Sequence, residues 1–159
     1  MRKKPEISLR ARALQCLARR EYSRSELRAK LSPQVQVEND FEQVQLVDLD
    51  ALLDDLTARG WLSDARAATQ LLHVKRSRFG TQRITHELRQ RGIGEELIEA
   101  ALPALKESEL ETARDVWQRK FGSLPQDAKE KAKQMRFLQS RGFPMDVIFK
   151  VMQNNDSED

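Results

Sequence analysis

Apolar positions recur at helical spacing along most of the chain, and turn signals separate one run from the next. Ser8 can cap a first helix, Leu9–Arg20, whose stripe is Leu14 and Leu17 with Ala13 and Ala18 alongside. Tyr22 reads as a hydrophobic staple, and Ser23-Arg-Ser-Glu26 as a capping box opening a second helix with Leu27 and Leu31. Pro33 stops that helix. Over 32–47 polar residues alternate with Val35, Val37, Phe41, Val44 and Leu46, which reads as a loop insertion or, at most, a short strand. A helix over Asp48–Arg59 follows, with Leu49, Leu52, Leu53 and Leu56 on one face.

Ser63 caps a helix through Ala67, Ala68, Leu71, Leu72 and Lys75, and Phe79-Gly80 ends it. Thr81 opens a helix with Ile84 and Leu88, and Glu95 and Glu96 favour the start of another carrying Leu97, Ile98, Ala101 and Leu102. Pro103 stands near its end. Ser108-Glu-Leu-Glu111 reads as a further capping box, leading a helix with Leu110, Ala113, Val116, Trp117 and Phe121. Pro125 and Asp127 start a helix with Ala128, Ala132, Met135 and Leu138, and Pro144 opens a last one with Met145, Ile148, Val151 and Met152. Asn154–Asp159 reads as a polar, frayed tail.

The pattern predicts an all-α fold of about nine helices in three units, 8–62, 63–105 and 106–153. A signature recurs with them: Arg59-Gly60-Trp61, Arg91-Gly92-Ile93 and Arg141-Gly142-Phe143, each with a leucine three residues before the arginine. Such a triplet suits a helix C-cap, in which glycine takes a positive φ and the next apolar residue folds back onto the helix. Repeated three-helix units stack into elongated, curved bodies with broad binding surfaces. The six glycines and five prolines of the 159 residues are too few for the frequent turns of a strand-rich fold.

Charge refines this picture. The net charge is only +3, but it is distributed in blocks: +7 over 1–31, −6 over 32–74, +5 over 75–93, −5 over 94–118, +5 over 119–151 and −3 in the tail. Separate basic and acidic faces suit a partner that mixes protein and polyanion. The cations cluster on otherwise well-formed helices: Arg24 and Arg28; then Lys75, Arg76, Arg78, Arg83 and Arg91; then Lys133, Arg136 and Arg141. The cluster from Lys75 to Arg91 is the leading candidate for a binding surface.

Candidate chemistry is sparse. His73 and His86 lack the spacing of a metal motif, and no cysteine pair joins them. Cys16 is the single cysteine, which fits a reducing cytoplasm and reads as a small packing residue. Asp48, Asp50, Asp54 and Asp55 lack the spacing of a calcium loop and read as a solvated face. No phosphate-cradling glycine loop occurs, so no nucleotide hydrolysis, cofactor or metal is expected. No apolar run suggests a signal peptide or membrane span.

Four blocks in order then resemble the RecX family. They are Ala13-Leu14-x-x-Leu17 with Arg20 and Ser23-x-x-Glu26-Leu27; Gly60-Trp61-Leu62-Ser63-Asp64; Arg78-x-Gly80 with Ile84, Glu87-Leu88 and Arg91-Gly92-Ile93; and Arg136-Phe137-Leu138-x-x-Arg141-Gly142-Phe143. Ala67 departs from the pattern, standing where an aromatic residue is common. The resemblance implies three tandem three-helix repeats in an elongated, curved body. It also implies a monomeric cytoplasmic protein that docks in the groove of the RecA–single-stranded DNA filament. There it modulates, usually inhibits, ATP hydrolysis and strand exchange in recombination and repair, with direct contact to single-stranded DNA possible. Two other readings of the residues stay open: an independent DNA-binding protein built of helix-turn-helix units, and a helical adaptor for another partner.

Overall fold

The computed structural model describes residues 8–34 and 41–153, and the side chains of 8–33 and 48–153. It contains α1 (Leu9–Arg19), α2 (Arg24–Leu31), a 3-10 turn (Ser32–Gln34), α3 (Phe41–Ala58), α4 (Asp64–Lys75), α5 (Thr81–Gln90), α6 (Glu95–Lys120), α7 (Ala128–Ser140) and α8 (Met145–Gln153). No strand occurs among the described residues. The tail at 154–159 and the stretch 35–40 lie outside them.

Local signals set the helix starts. The Ser8 side chain accepts the Ala11 N–H at 3.1 Å, and Asp127 accepts that of Glu130 at 2.7 Å. At Ser23 the reciprocal capping box forms: its hydroxyl accepts the Glu26 N–H at 3.0 Å, and the Glu26 carboxylate accepts the Ser23 N–H at 3.1 Å. The recurring triplets form glycine-terminated caps, with φ of +76° at Gly60, +75° at Gly92 and +91° at Gly142. Around Gly142 the bonds are those of a Schellman motif. The Gly142 N–H donates to the Gln139 carbonyl at 3.0 Å, and the Phe143 N–H to that of Leu138 at 3.2 Å. The signature leucine is thus the carbonyl acceptor of the cap, and Leu56 plays the same part for Trp61 at 2.9 Å.

Three expectations are corrected. The helix expected from Asp48 begins at Phe41, because no glycine or proline interrupts Phe41–Ala58. On α1 the inward face is turned from the expected stripe. Ala13 is fully buried with Leu9, Cys16 and Leu17 packed around it, whereas Leu14 is 38% exposed. The break expected between 103 and 108 does not occur, and one helix of 26 residues passes through Pro103. Ser108 donates back to the Ala104 carbonyl at 3.2 Å rather than capping a new helix. Tertiary contacts outweigh the proline here, since Leu105, Glu109, Ala113 and Trp117 recur every four residues and are all buried. The chain therefore shows eight α-helices among its described residues where about nine were expected.

The chain forms two compact units. The first runs to Gln70 and includes the turn Arg91–Ile93; the second holds Leu71–Gln90 and the chain from Gly94 onward. The first is built on Tyr22, Leu27, Leu31, Leu49, Leu53, Leu56 and Leu62 around Ala13. Its Ser23 hydroxyl also donates to the Arg91 carbonyl, which ties that turn to the start of α2. The second packs Ala113 and Trp117 of α6 against Leu138, Phe143, Val147, Ile148 and Val151.

Within the second unit α5 lacks a capping side chain of its own, because Gly80 stands in the N-cap position. The buried Glu109 carboxylate of α6 fills that role and accepts the Thr81 N–H at 2.5 Å. Glu109→Ala leaves this N–H unpaired and is expected to lower stability by about 1–3 kcal/mol. Glu109→Gln retains an acceptor and should recover most of the loss, read by thermal melting of both variants.

Candidate functional site

The basic residues singled out by sequence separate into distinct environments. Arg24 and Arg28 spend charge on α3: Arg24 Nη1 pairs with Asp54 at 2.7 Å and Arg28 Nε with Asp50 at 2.9 Å. The Arg28 hydrogen bond holds the Asp50 carboxyl below the usual carboxylate range, and Arg10 with Arg59 does the same for Asp55. The aspartate cluster is the solvated face expected, and Asp50, Asp54 and Asp55 within it are ion-paired. Arg91 lies in the turn that belongs to the first unit. Lys133 and Arg136 are exposed on α7.

Three of the candidates converge in the second unit, at the turn between α4 and α5. Phe79 is buried there, and cations from three segments surround its ring. Arg83 Cζ lies 4.1 Å from the ring centroid, Lys75 Nζ 5.2 Å and Arg141 Cζ 5.4 Å. An aromatic quadrupole attracts cations and offsets part of their mutual repulsion, each contact contributing about 0.5–1 kcal/mol where exposed. Arg76 departs from this group: its guanidinium donates to Ser108 Oγ on α6 at 3.3 Å.

The convergence depends on backbone. The turn after α4 docks on the turn after α7, with the Gly80 N–H donating to the Arg141 carbonyl at 2.7 Å and the Gln82 N–H to that of Gly142 at 3.1 Å. A Cβ at Gly80 would collide with the Gly142 backbone, and one at Gly142 with the Arg83 backbone, so glycine at both positions permits the approach. Arg83 Nη1 adds a bond to the Ser140 carbonyl at 3.2 Å.

Beside this turn lies an open groove of about 390 Å³. Arg78, Arg119, Lys120 and Arg141 line it over Val116 and Phe137. Arg119 and Lys120 escaped the sequence reading because they follow Trp117 at the end of an amphipathic helix and look like ordinary last-turn cations. Their position at the head of the basic block 119–151 was the available clue.

Family comparison agrees with this architecture. Residues 63–102 match a model described as RecX, second three-helix domain, and residues 107–152 one described as RecX, third three-helix domain. Over 155 residues the chain is 44% identical to the regulatory protein RecX of Leptothrix cholodnii, covering 98% of this chain and 94% of that protein. The chain belongs to the RecX family. It is also 46% identical over 150 residues to the RecX protein of Herbaspirillum seropedicae, covering 94% and 92% of the two chains. RecX from Lactobacillus salivarius shares the fold at a TM-score of 0.71 with 18% identity, over 93% of this chain and 94% of that one. The RecX family is one of regulatory proteins, and no helix among the described residues is long and apolar enough to cross a membrane.

Proposed function

We propose that this protein regulates the RecA recombinase by docking, as a monomer in the cytoplasm, on the RecA–single-stranded DNA filament. Bound there it modulates, in the inhibitory sense, ATP hydrolysis and strand exchange during recombination and DNA repair. It does so by occupying the filament, with no catalytic group of its own. Family membership supports the regulatory role. The observation that carries the choice of surface is the gathering of Lys75, Arg83 and Arg141 on Phe79, with no salt bridge to any of the three among the described residues. A filament offers phosphates and protein carboxylates together, and concentrated positive charge speeds encounter with both.

The test is RecA ATPase on single-stranded DNA with and without the protein. Addition of the parent is expected to slow hydrolysis. Lys75→Glu with Arg83→Glu should weaken inhibition on the order of tenfold or more in the concentration required, since two favourable contacts become repulsive. Helicity should stay unchanged. A double variant that inhibits as well as the parent would remove this surface from consideration, and Lys133 with Arg136 would follow. Tight binding to duplex DNA with no action on RecA would instead identify an independent DNA-binding protein.

A further inference from the structure

The groove between the ends of α4, α6 and α7 differs from the basic surface of the first unit. Cations of the first unit are largely paired, Arg10, Arg24, Arg28 and Arg66 each with a carboxylate. Arg78, Arg119, Lys120 and Arg141 form no salt bridge among the described residues, and no aspartate or glutamate lines the groove they share. Two of the four are also held in place. Arg141 Cζ lies 5.1 Å and Lys120 Nζ 5.5 Å from the Phe137 ring centroid, and Phe121 meets that ring edge-on at 5.4 Å. Positioned, unpaired cations lose less freedom when they take up an anion.

We propose that this groove is a binding site for the phosphodiester backbone of a single-stranded nucleic acid, contacted directly by Arg78, Arg119, Lys120 and Arg141. Three of the four are arginines, whose planar forks suit phosphate oxygens. The groove sets four cations around a floor of Val116 and Phe137. Its aromatic floor is already engaged by two cations and a second ring, which leaves little for the side chains of a peptide to fill. A phosphodiester carries a charge at every residue and needs no such anchor. Arg119 and Lys120 thereby gain a role that neither sequence pattern nor family resemblance assigns. The site deepens the filament-docking reading and rests on it for its setting, but the contact itself needs no RecA.

The test uses the full chain and a fluorescently labelled oligo-dT strand, with anisotropy measured across a salt series in the absence of RecA. Arg119→Gln with Lys120→Gln should weaken binding on the order of tenfold. The log–log salt slope should become shallower by about 1.4, at about 0.7 per lost phosphate contact on a single strand. Lys129→Gln with Lys131→Gln removes the same charge from exposed positions on α7 and should leave the slope near the parent's. All four residues are exposed, so both double variants should melt with the parent. Equal losses in the two variants would reduce the effect to bulk charge and overturn the site, as would a parent that does not bind the strand. A groove variant that binds DNA normally but loses inhibition of RecA ATPase would assign the groove to protein carboxylates and likewise overturn it. Groove-dependent DNA binding by a parent that leaves RecA ATPase untouched would uphold the site and reject the filament reading.

Discussion

Replacing Trp117 by alanine is expected to destabilise the second unit by about 3–5 kcal/mol. The ring is 5% exposed and sits among Ala113, Leu138 and Phe143, so its removal leaves a cavity that packed helices close only in part. A polar cost is added to the cavity cost. The indole N–H donates to Gln134 Oε1 at 2.9 Å, and Gln134, itself 1% exposed, donates through its amide to the Ser123 carbonyl at 3.1 Å. Without the indole a buried amide oxygen loses its donor. Trp117→Phe keeps most of the apolar volume but not the donor and should fall between alanine and the parent. Chemical denaturation of the three proteins checks the order. A loss below about 1 kcal/mol for alanine would contradict the burial of the ring, since truncating a buried Phe or Trp to alanine costs about 3–5 kcal/mol.

The second large effect is expected at Gly142. Alanine there must hold a left-handed backbone at φ +91° and place its Cβ against the Arg83 backbone, where no flexible side chain can yield. The conformational cost, about 1–2 kcal/mol, and the overpacking cost, about 1–3 kcal/mol, together give about 2–5 kcal/mol. Gly60 provides the control. Its φ is +76°, but nothing lies within 4 Å of the position a Cβ would take, so Gly60→Ala carries the conformational cost alone. The excess measured at Gly142 is therefore the cost of forcing a Cβ between the two docked turns. Because that contact sets Arg83 and Arg141 around Phe79, Gly142→Ala should also weaken action on RecA while Gly60→Ala leaves it intact. Equal melting shifts for the two glycines would show that the turns do not press on one another.

Signals confined to a few adjacent residues were legible in the sequence. The serine and aspartate caps at Ser8, Ser23 and Asp127, the buried leucines of α2 and α3, and the helix-ending glycines each depend on bonds within about one helical turn. The repeated triplet shows where this legibility ends. All three glycines take the expected left-handed turn, yet Phe143 is fully buried whereas Trp61 is 46% exposed beneath Arg59, with Leu62 buried in its place. The triplet dictates the turn. What lies beyond the turn, and so whether the next residue is covered, is set elsewhere in the chain.

By itself, then, the sequence determined an all-helical protein, most of its helix boundaries and its RecX family, because periodicity, caps and motif order are properties of the chain read along its length. Only the tertiary structure decided that α6 continues through Pro103, since the contacts of Glu109 and Trp117 that sustain it come from other helices. It alone separated paired cations from unpaired ones, setting Arg24 and Arg28 against the aspartates of α3 and gathering Lys75, Arg83 and Arg141 on one ring. Coulomb energy depends on distance in space, and a helical wheel ends at the turn that brings such residues together.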